Sequence, residues 1–185
     1  MSSSPLNTEI GSHFFASSQS DKEIVETIAV YILEGNDSRR AENLRNIFAH
    51  PIFVTYVVNI ETPPHWYTQH SELTKDDADE YYQYLWCLND AKTRLSESYI
   101  LVIKDSSITH LETQSLAAIL RETCKHKTWH LCYLNKWLDR CDLYEGKIRL
   151  GRTGVDLVKT HSPQGCQAIL FSPQGRDIIL GRQDM

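Results

Sequence analysis

Apolar positions along this chain follow two patterns, short runs and stripes at helical spacing. Runs rich in β-branched and aromatic residues occur at Thr27 to Leu33 (Thr-Ile-Ala-Val-Tyr-Ile-Leu), Ile52 to Ile60, Tyr99 to Ile103, Trp129 to Leu134 and Cys166 to Phe171. All five predict strands, and the Thr27 and Tyr99 runs predict strands buried on both faces, as in the middle of a parallel sheet. Between the first two runs, Gly35-Asn36-Asp37 is turn chemistry, and Asp37 is a good N-cap. The helix it opens carries Ala41, Leu44, Ile47 and Phe48 on one stripe, opposite Arg39, Arg40, Glu42 and Arg45. It is expected to stop near His50-Pro51, because a residue before proline leaves the helical region. Strand, helix and strand make a βαβ unit, from which parallel strands and a right-handed crossover follow.

A second helix is expected from a cap at Thr74 to about Leu95, with Ala78, Tyr81, Leu85, Leu88, Lys92 and Leu95 at i, i+3, i+4 spacing. Asp76, Asp77 and Asp79 in its first turn suit the positive end of the helix dipole. The loop before it, Glu61 to Leu73, holds Pro63-Pro64, Trp66 and Tyr67; it reads either as a cover over a ligand or as a packed surface loop. After the Tyr99 run, Thr109-His110-Leu111-Glu112 has the form of a capping box for a helix to about Cys124. A strand or hairpin is expected around Lys147 to Leu150. Ser172-Pro173 opens a short last helix through Ile178, Ile179 and Leu180 to Gly181. Residues 1–21, serine-rich and without periodicity, read as a flexible lead-in to one domain over residues 22–185. The fold class expected is α/β, a mostly parallel sheet flanked by helices.

Composition narrows the function. With 185 residues, 41% hydrophobic and 23% charged, the chain has the balance of an ordinary globular domain. A formal net charge of −5 argues against nucleic acid as a partner, since phosphate binding needs a basic face. No apolar run reaches the roughly 20 residues of a membrane span, and the start lacks the basic and apolar regions of a signal peptide. Five cysteines (Cys87, Cys124, Cys132, Cys141, Cys166) form no disulfide framework spacing and read as reduced thiols in a cytoplasmic protein.

The chemistry is expected at the tip of the Tyr99 run, which ends in Lys104-Asp105-Ser106-Ser107. Ligands in open α/β sheets sit just beyond the carboxyl ends of strands, and an acid there can hold a metal or a polar substrate. The chain has no glycine-rich phosphate loop, no helical pair of metal-binding histidines and no nucleophile elbow. Cys124, His126, His130 and Cys132 are zinc-ligand types close in sequence, but they would have to converge across a tight loop from a helix end and a strand. Core or surface placement is the simpler expectation for them.

Three stretches in this order resemble glycosyltransferase family 25, which includes lipopolysaccharide and collagen galactosyltransferase-type enzymes. They are Val30-Tyr31-Ile32 followed by the helix Arg39-Arg40-Ala41-Glu42-Asn43-Leu44, the strand Ile100 to Ile103 running into Lys104-Asp105-Ser106, and the strand Ala168 to Phe171 running into Ser172-Pro173-Gln174-Gly175. Trp129 to Leu134 is similar to that family's strand before its variable loop. The resemblance spans about Ile28 to Leu180 and implies a GT-A-like fold that moves a hexose from a nucleotide-sugar donor to a hydroxyl of a glycan or protein acceptor. It also implies a divalent metal, Mn²⁺ or Mg²⁺, beside the donor diphosphate. The family's Glu-Asp-Asp corresponds to Lys104-Asp105-Ser106 here, so one acid of three is kept.

Asp105 is thus the expected metal ligand, and Mg²⁺ can be held by one or two carboxylates plus phosphates. Arg39, Arg40 and Lys104 are the candidate cations for the donor diphosphate, although the two arginines also read as solvated helix charges. Strand alternation puts Lys104 and Asp105 on opposite sides. Candidate bases for the acceptor hydroxyl are His110, Asp156 and His161. A rival expectation is a transferase-like scaffold that has lost its metal site and binds a glycan or a protein.

Overall fold

The computed structural model describes residues 27–35, 37–60, 74–107, 109–134, 146–159 and 167–181. The lead-in expected at residues 1–21, the loop Glu61 to Leu73, and His161 lie outside them. The two most apolar runs become the strands β1 (Ile28–Leu33) and β3 (Tyr99–Lys104), in which every residue but Lys104 is buried. They lie side by side and parallel, Ile28 opposite Tyr99 and Leu33 opposite Lys104. The strand β2 (Phe53–Val58) pairs parallel with the other side of β1.

The sheet has five strands in the order β2-β1-β3-β7-β4, with β4 at Leu131–Tyr133 and β7 at Ala168–Phe171. β7 runs antiparallel to both of its neighbours. The sheet is therefore mixed, with one reversed strand among four that share a direction. A separate hairpin pairs β5 (Lys147–Arg149) with β6 (Asp156–Val158), matching the hairpin expected around Lys147.

Alternation along β1 and β3 divides the core. Ile28, Val30, Ile32, Leu101 and Ile103 face one layer, formed by Ala41 and Leu44 of α1 (Ser38–Ile47) and by Leu116, Ala117, Leu120 and Cys124 of α3 (Thr113–Lys125). Ala29, Tyr31, Leu33, Ile100 and Val102 face the other, formed by Tyr84, Cys87, Leu88 and Ala91 of α2 (Lys75–Arg94) with Ile179 and Leu180 of α4 (Pro173–Gly181). Each fully buried aliphatic side chain contributes about 1.5–3 kcal/mol, so these two strands hold the largest share of the fold's stability.

Local chemistry sets the helix starts. The Asp37 side chain accepts from the Arg39 N–H at 3.1 Å, and Thr74 Oγ1 accepts from the Asp77 N–H at 3.2 Å, both as the sequence predicts. Ser172 Oγ accepts from the Gly175 N–H at 3.0 Å with Pro173 at the first helical position. That explains the Ser-Pro-x-Gly string: serine caps, proline starts, and glycine lets the helix sit against the His130 main chain, where an added Cβ would overlap the carbonyl. Arg176, 3% exposed, then donates to the Ser96 carbonyl at 2.7 Å and ties α4 to the turn before β3.

Two expectations are corrected. α3 starts at Thr113, not at a capping box on Thr109: Glu112 occupies the cap without a side-chain bond, and Thr109 Oγ1 accepts from the Leu111 N–H at 3.1 Å in a local turn. On α2, Tyr81 is 47% exposed, and the buried stripe runs through Ala78, Tyr84, Leu85, Cys87, Leu88 and Ala91. Of the four zinc-ligand types, Cys124 lies in the core and His130 is exposed, so the set is split between interior and surface.

Candidate functional site at the switch point

The chain leaves β1 through α1 to β2 on one side, then returns over β1 through α2 to β3 on the other. The two helices consequently lie on opposite faces, which makes the carboxyl ends of β1 and β3 the topological switch point, the place where open α/β sheets hold ligands. Main-chain bonds fasten this point. The Asp105 N–H donates to Leu33 O at 3.0 Å, and the Glu34 N–H donates to Val58 O at 2.9 Å.

Asp105 stands at this point, half-buried, and its Oδ2 accepts from the Gly35 N–H at 2.8 Å. A Cβ on Gly35 would lie 3.0 Å from Oδ2 and 3.2 Å from Oδ1, so glycine permits this approach. Oδ1 has no hydrogen-bond partner among the described residues. The result is one carboxylate, oriented by a backbone amide from the neighbouring strand's turn, with its second oxygen unpaired among the described residues.

The expected cations divide. Lys104 Nζ pairs with Glu80 Oε2 of α2 at 2.6 Å, on the side of the strand away from Asp105. Arg39 and Arg40 lie exposed in the first turn of α1, their Nε atoms 3.2 and 3.9 Å from the Asp37 carboxylate. The Arg39 side chain, then its backbone N–H, and the Arg40 charge hold the Asp37 carboxyl below the usual carboxylate range. Arg39 also lines a cleft of about 410 Å³ between α1 and β2, together with Glu34, Ser38, Glu42, Arg45 and Val57. Glu34 places that cleft next to the switch point.

The expected bases also separate. His110 is exposed on the loop that leaves the same edge of the sheet after β3. Asp156 lies on the β5–β6 hairpin, with Oδ2 3.3 Å from Lys147 Nζ and Oδ1 3.2 Å from Arg149 Nε. Ser107, two residues past Asp105, donates from Oγ to Gln167 O at 3.1 Å and binds this turn to the start of β7.

No group of three or more His, Cys, Asp or Glu able to hold a metal ion occurs among the described residues. They do not form a metal cage around Asp105. Gly35 and Glu80 are the functional neighbours that sequence reading left out. Gly35 carried a signal, a glycine two residues past a buried strand, whereas nothing local marks Glu80 as the partner of Lys104.

The fold and this turn define the class: an α/β protein with a mixed sheet and the Asp105 carboxylate at its switch point. No protein-family model matches the chain, and no curated protein matches it. Among the described residues, no helix is long and apolar enough to cross a membrane.

Proposed function

We propose that the chain is a GT-A-like, nucleotide-sugar-dependent glycosyltransferase that moves a hexose to a hydroxyl of a glycan or protein acceptor. The observation that carries this is the Asp105 carboxylate at the switch point, oriented by the Gly35 N–H with Oδ1 unpaired among the described residues. The adjoining cleft of about 410 Å³ falls within the roughly 300–1,000 Å³ of small-molecule sites. In such a transfer the bond from the sugar's anomeric carbon to the diphosphate breaks, and negative charge builds on the departing nucleoside diphosphate. A divalent cation would neutralise that charge, with Asp105 as its protein ligand. Arg39, at the cleft wall, is the side chain assigned to the diphosphate. Lys104 is not, because Glu80 holds it on the far side of β3. His110, exposed at the same edge, is assigned to take the proton of the attacking hydroxyl; Asp156 is engaged by two cations.

A second reading, a scaffold that binds a glycan or protein without transfer, is favoured by the single acid and by the Lys104–Glu80 pair. Melting curves with UDP-glucose and UDP-galactose, each with and without Mn²⁺, separate the two. The transferase requires a metal-dependent rise in Tm that Asp105→Asn abolishes, since that variant keeps an acceptor for Gly35 but loses the charge. No rise with either donor sinks it.

A further inference from the structure

A groove of about 440 Å³ runs between β2 and α2, lined by neither Asp105 nor Gly35. One wall is the helix stripe Trp86, Asp90 and Arg94, at i, i+4 and i+8. The floor is Tyr56, Val58 and Ile60, which share one face of β2 and its extension, with Tyr56 stacked on Tyr31 at 5.0 Å. Four residues of strand and eight of helix both span about 12–13 Å, so the two walls run the length of about four extended residues.

The open side of this groove is main chain. Ile28 N–H donates to Ile52 O and Glu34 N–H to Val58 O. In a parallel ladder alternate residues turn their polar groups to the neighbour, so Ile52, Val54, Tyr56 and Val58 face β1. The N–H and C=O groups of Thr55, Val57 and Asn59 therefore point away from the sheet. They have no partner among the described residues, where β2 is an edge strand. Val57 and Asn59 line the groove. A six-residue apolar edge with neither lysine nor proline templates strand addition unless something covers it.

The far end carries charge. Asp90 accepts from Tyr31 OH through Oδ2 and from Arg94 Nε through Oδ1, both at 2.8 Å. That holds the Arg94 guanidinium by its Nε, on a side chain 60% exposed. A guanidinium is the counterpart of a carboxylate.

We infer that this groove binds an extended segment of a partner protein, added as a strand to the open edge of β2. Its alternate apolar side chains lie against Tyr56, Val58 and Trp86, and an acidic group meets Arg94. Main-chain pairing supplies affinity, and the alternate side chains supply specificity. Trp86 and Val57, each 39% exposed, become covered in the complex. The inference stands independently of the transferase assignment.

The test is selection of phage-displayed random octapeptides on the intact chain, followed by titration of the enriched synthetic peptides. Expected are peptides with apolar residues two apart and an acid at one end. Their affinity falls at least tenfold in Trp86→Ala and in Val57→Pro but less than threefold in Val57→Ala. Proline at 57 blocks an outward N–H without breaking the ladder to β1. If Val57→Pro does not fold, amide exchange on the wild-type complex decides: slowed exchange at Val57 and Asn59 supports strand addition, and unchanged exchange overturns it. It is also overturned if no peptide family emerges, or if enriched peptides bind Val57→Pro as tightly as wild type. Two further results overturn it: oligosaccharides that bind through Trp86 regardless of Val57→Pro, and self-association that Val57→Pro abolishes, which would make a second copy the occupant.

Discussion

Glycine 175 gives the sharpest test of how α4 is seated, because two effects of one methyl group oppose each other in sign. Inside a helix, alanine is favoured over glycine by about 1 kcal/mol, so propensity alone makes Gly175→Ala stabilising. The structure demands the reverse. A Cβ at this position would overlap the His130 carbonyl oxygen and lie 2.8 Å from its carbon. The obstacle is main chain, not the end of a flexible side chain, and the Ser172 N–H holds that same oxygen at 3.0 Å. Relief requires α4 to move off β4. Overpacking of this kind costs about 1–3 kcal/mol or more, and losing the hydrogen bond adds about 1 kcal/mol. A net destabilisation of about 3 kcal/mol is expected, which for a chain of this length lowers Tm by roughly 6–12 °C. Gly181→Ala, where an added Cβ meets nothing within 4 Å, is the control and should move Tm by less than about 2 °C. Thermal and urea melts of both variants decide it. A Gly175→Ala protein as stable as wild type, or more so, would mean that α4 does not rest on the His130 main chain.

Arg176→Met removes the donor to the Ser96 carbonyl while keeping the buried stem, and should cost about 2 kcal/mol in urea unfolding; a loss below about 0.5 kcal/mol would show that this tie is dispensable. Alkaline pH should also destabilise the chain. Burial pushes the Cys132 thiol up to about 11. Burial and then the Asp90 charge push Cys87 higher, and burial with the hydrogen bond to Asp90 raises Tyr31 above the ordinary phenol range. The unfolded chain ionises these groups first, thiols near pH 8.5 and phenols near pH 10. Their contribution is therefore full below about pH 8.5 and is lost as pH rises toward 11 and beyond. Urea midpoints between pH 7 and 10.5 should fall, and less steeply in Cys132→Ala; a flat profile would contradict the burial.

What the sequence revealed was what local chemistry decides. β1, β3 and β7 were legible because strands buried on both faces cannot tolerate polar residues, and Asp37, Thr74 and Ser172 announced their helices through caps closed within three residues. Thr109 misled for the same reason run backwards: a capping-box string is equally able to close a short turn, and the chain used it so, starting α3 at Thr113. Tyr81 was placed on the buried stripe because a period of 3.6 fixes a stripe's spacing but not which of two neighbouring stripes meets the sheet. The reversal of β7 was not legible, since a doubly buried strand reads the same in either direction. At the candidate site, the polar tip of β3 marked Asp105 as the residue to examine. Its tie to Gly35, 70 residues away, and the capture of Lys104 by Glu80 depend on how strands and helices assemble, which no local pattern encodes.

The assignment of Asp105 to donor binding is tested most directly by amide NMR. Titrating UDP-galactose with Mg²⁺ into ¹⁵N-labelled protein should shift the Glu34, Gly35 and Asp105 resonances and the first turn of α1 saturably, Gly35 most of all because its N–H bonds the recruited carboxylate. Asp105→Asn should remove the response. A titration that leaves Gly35 and Asp105 unmoved, or moves them equally in Asp105→Asn, would contradict the account.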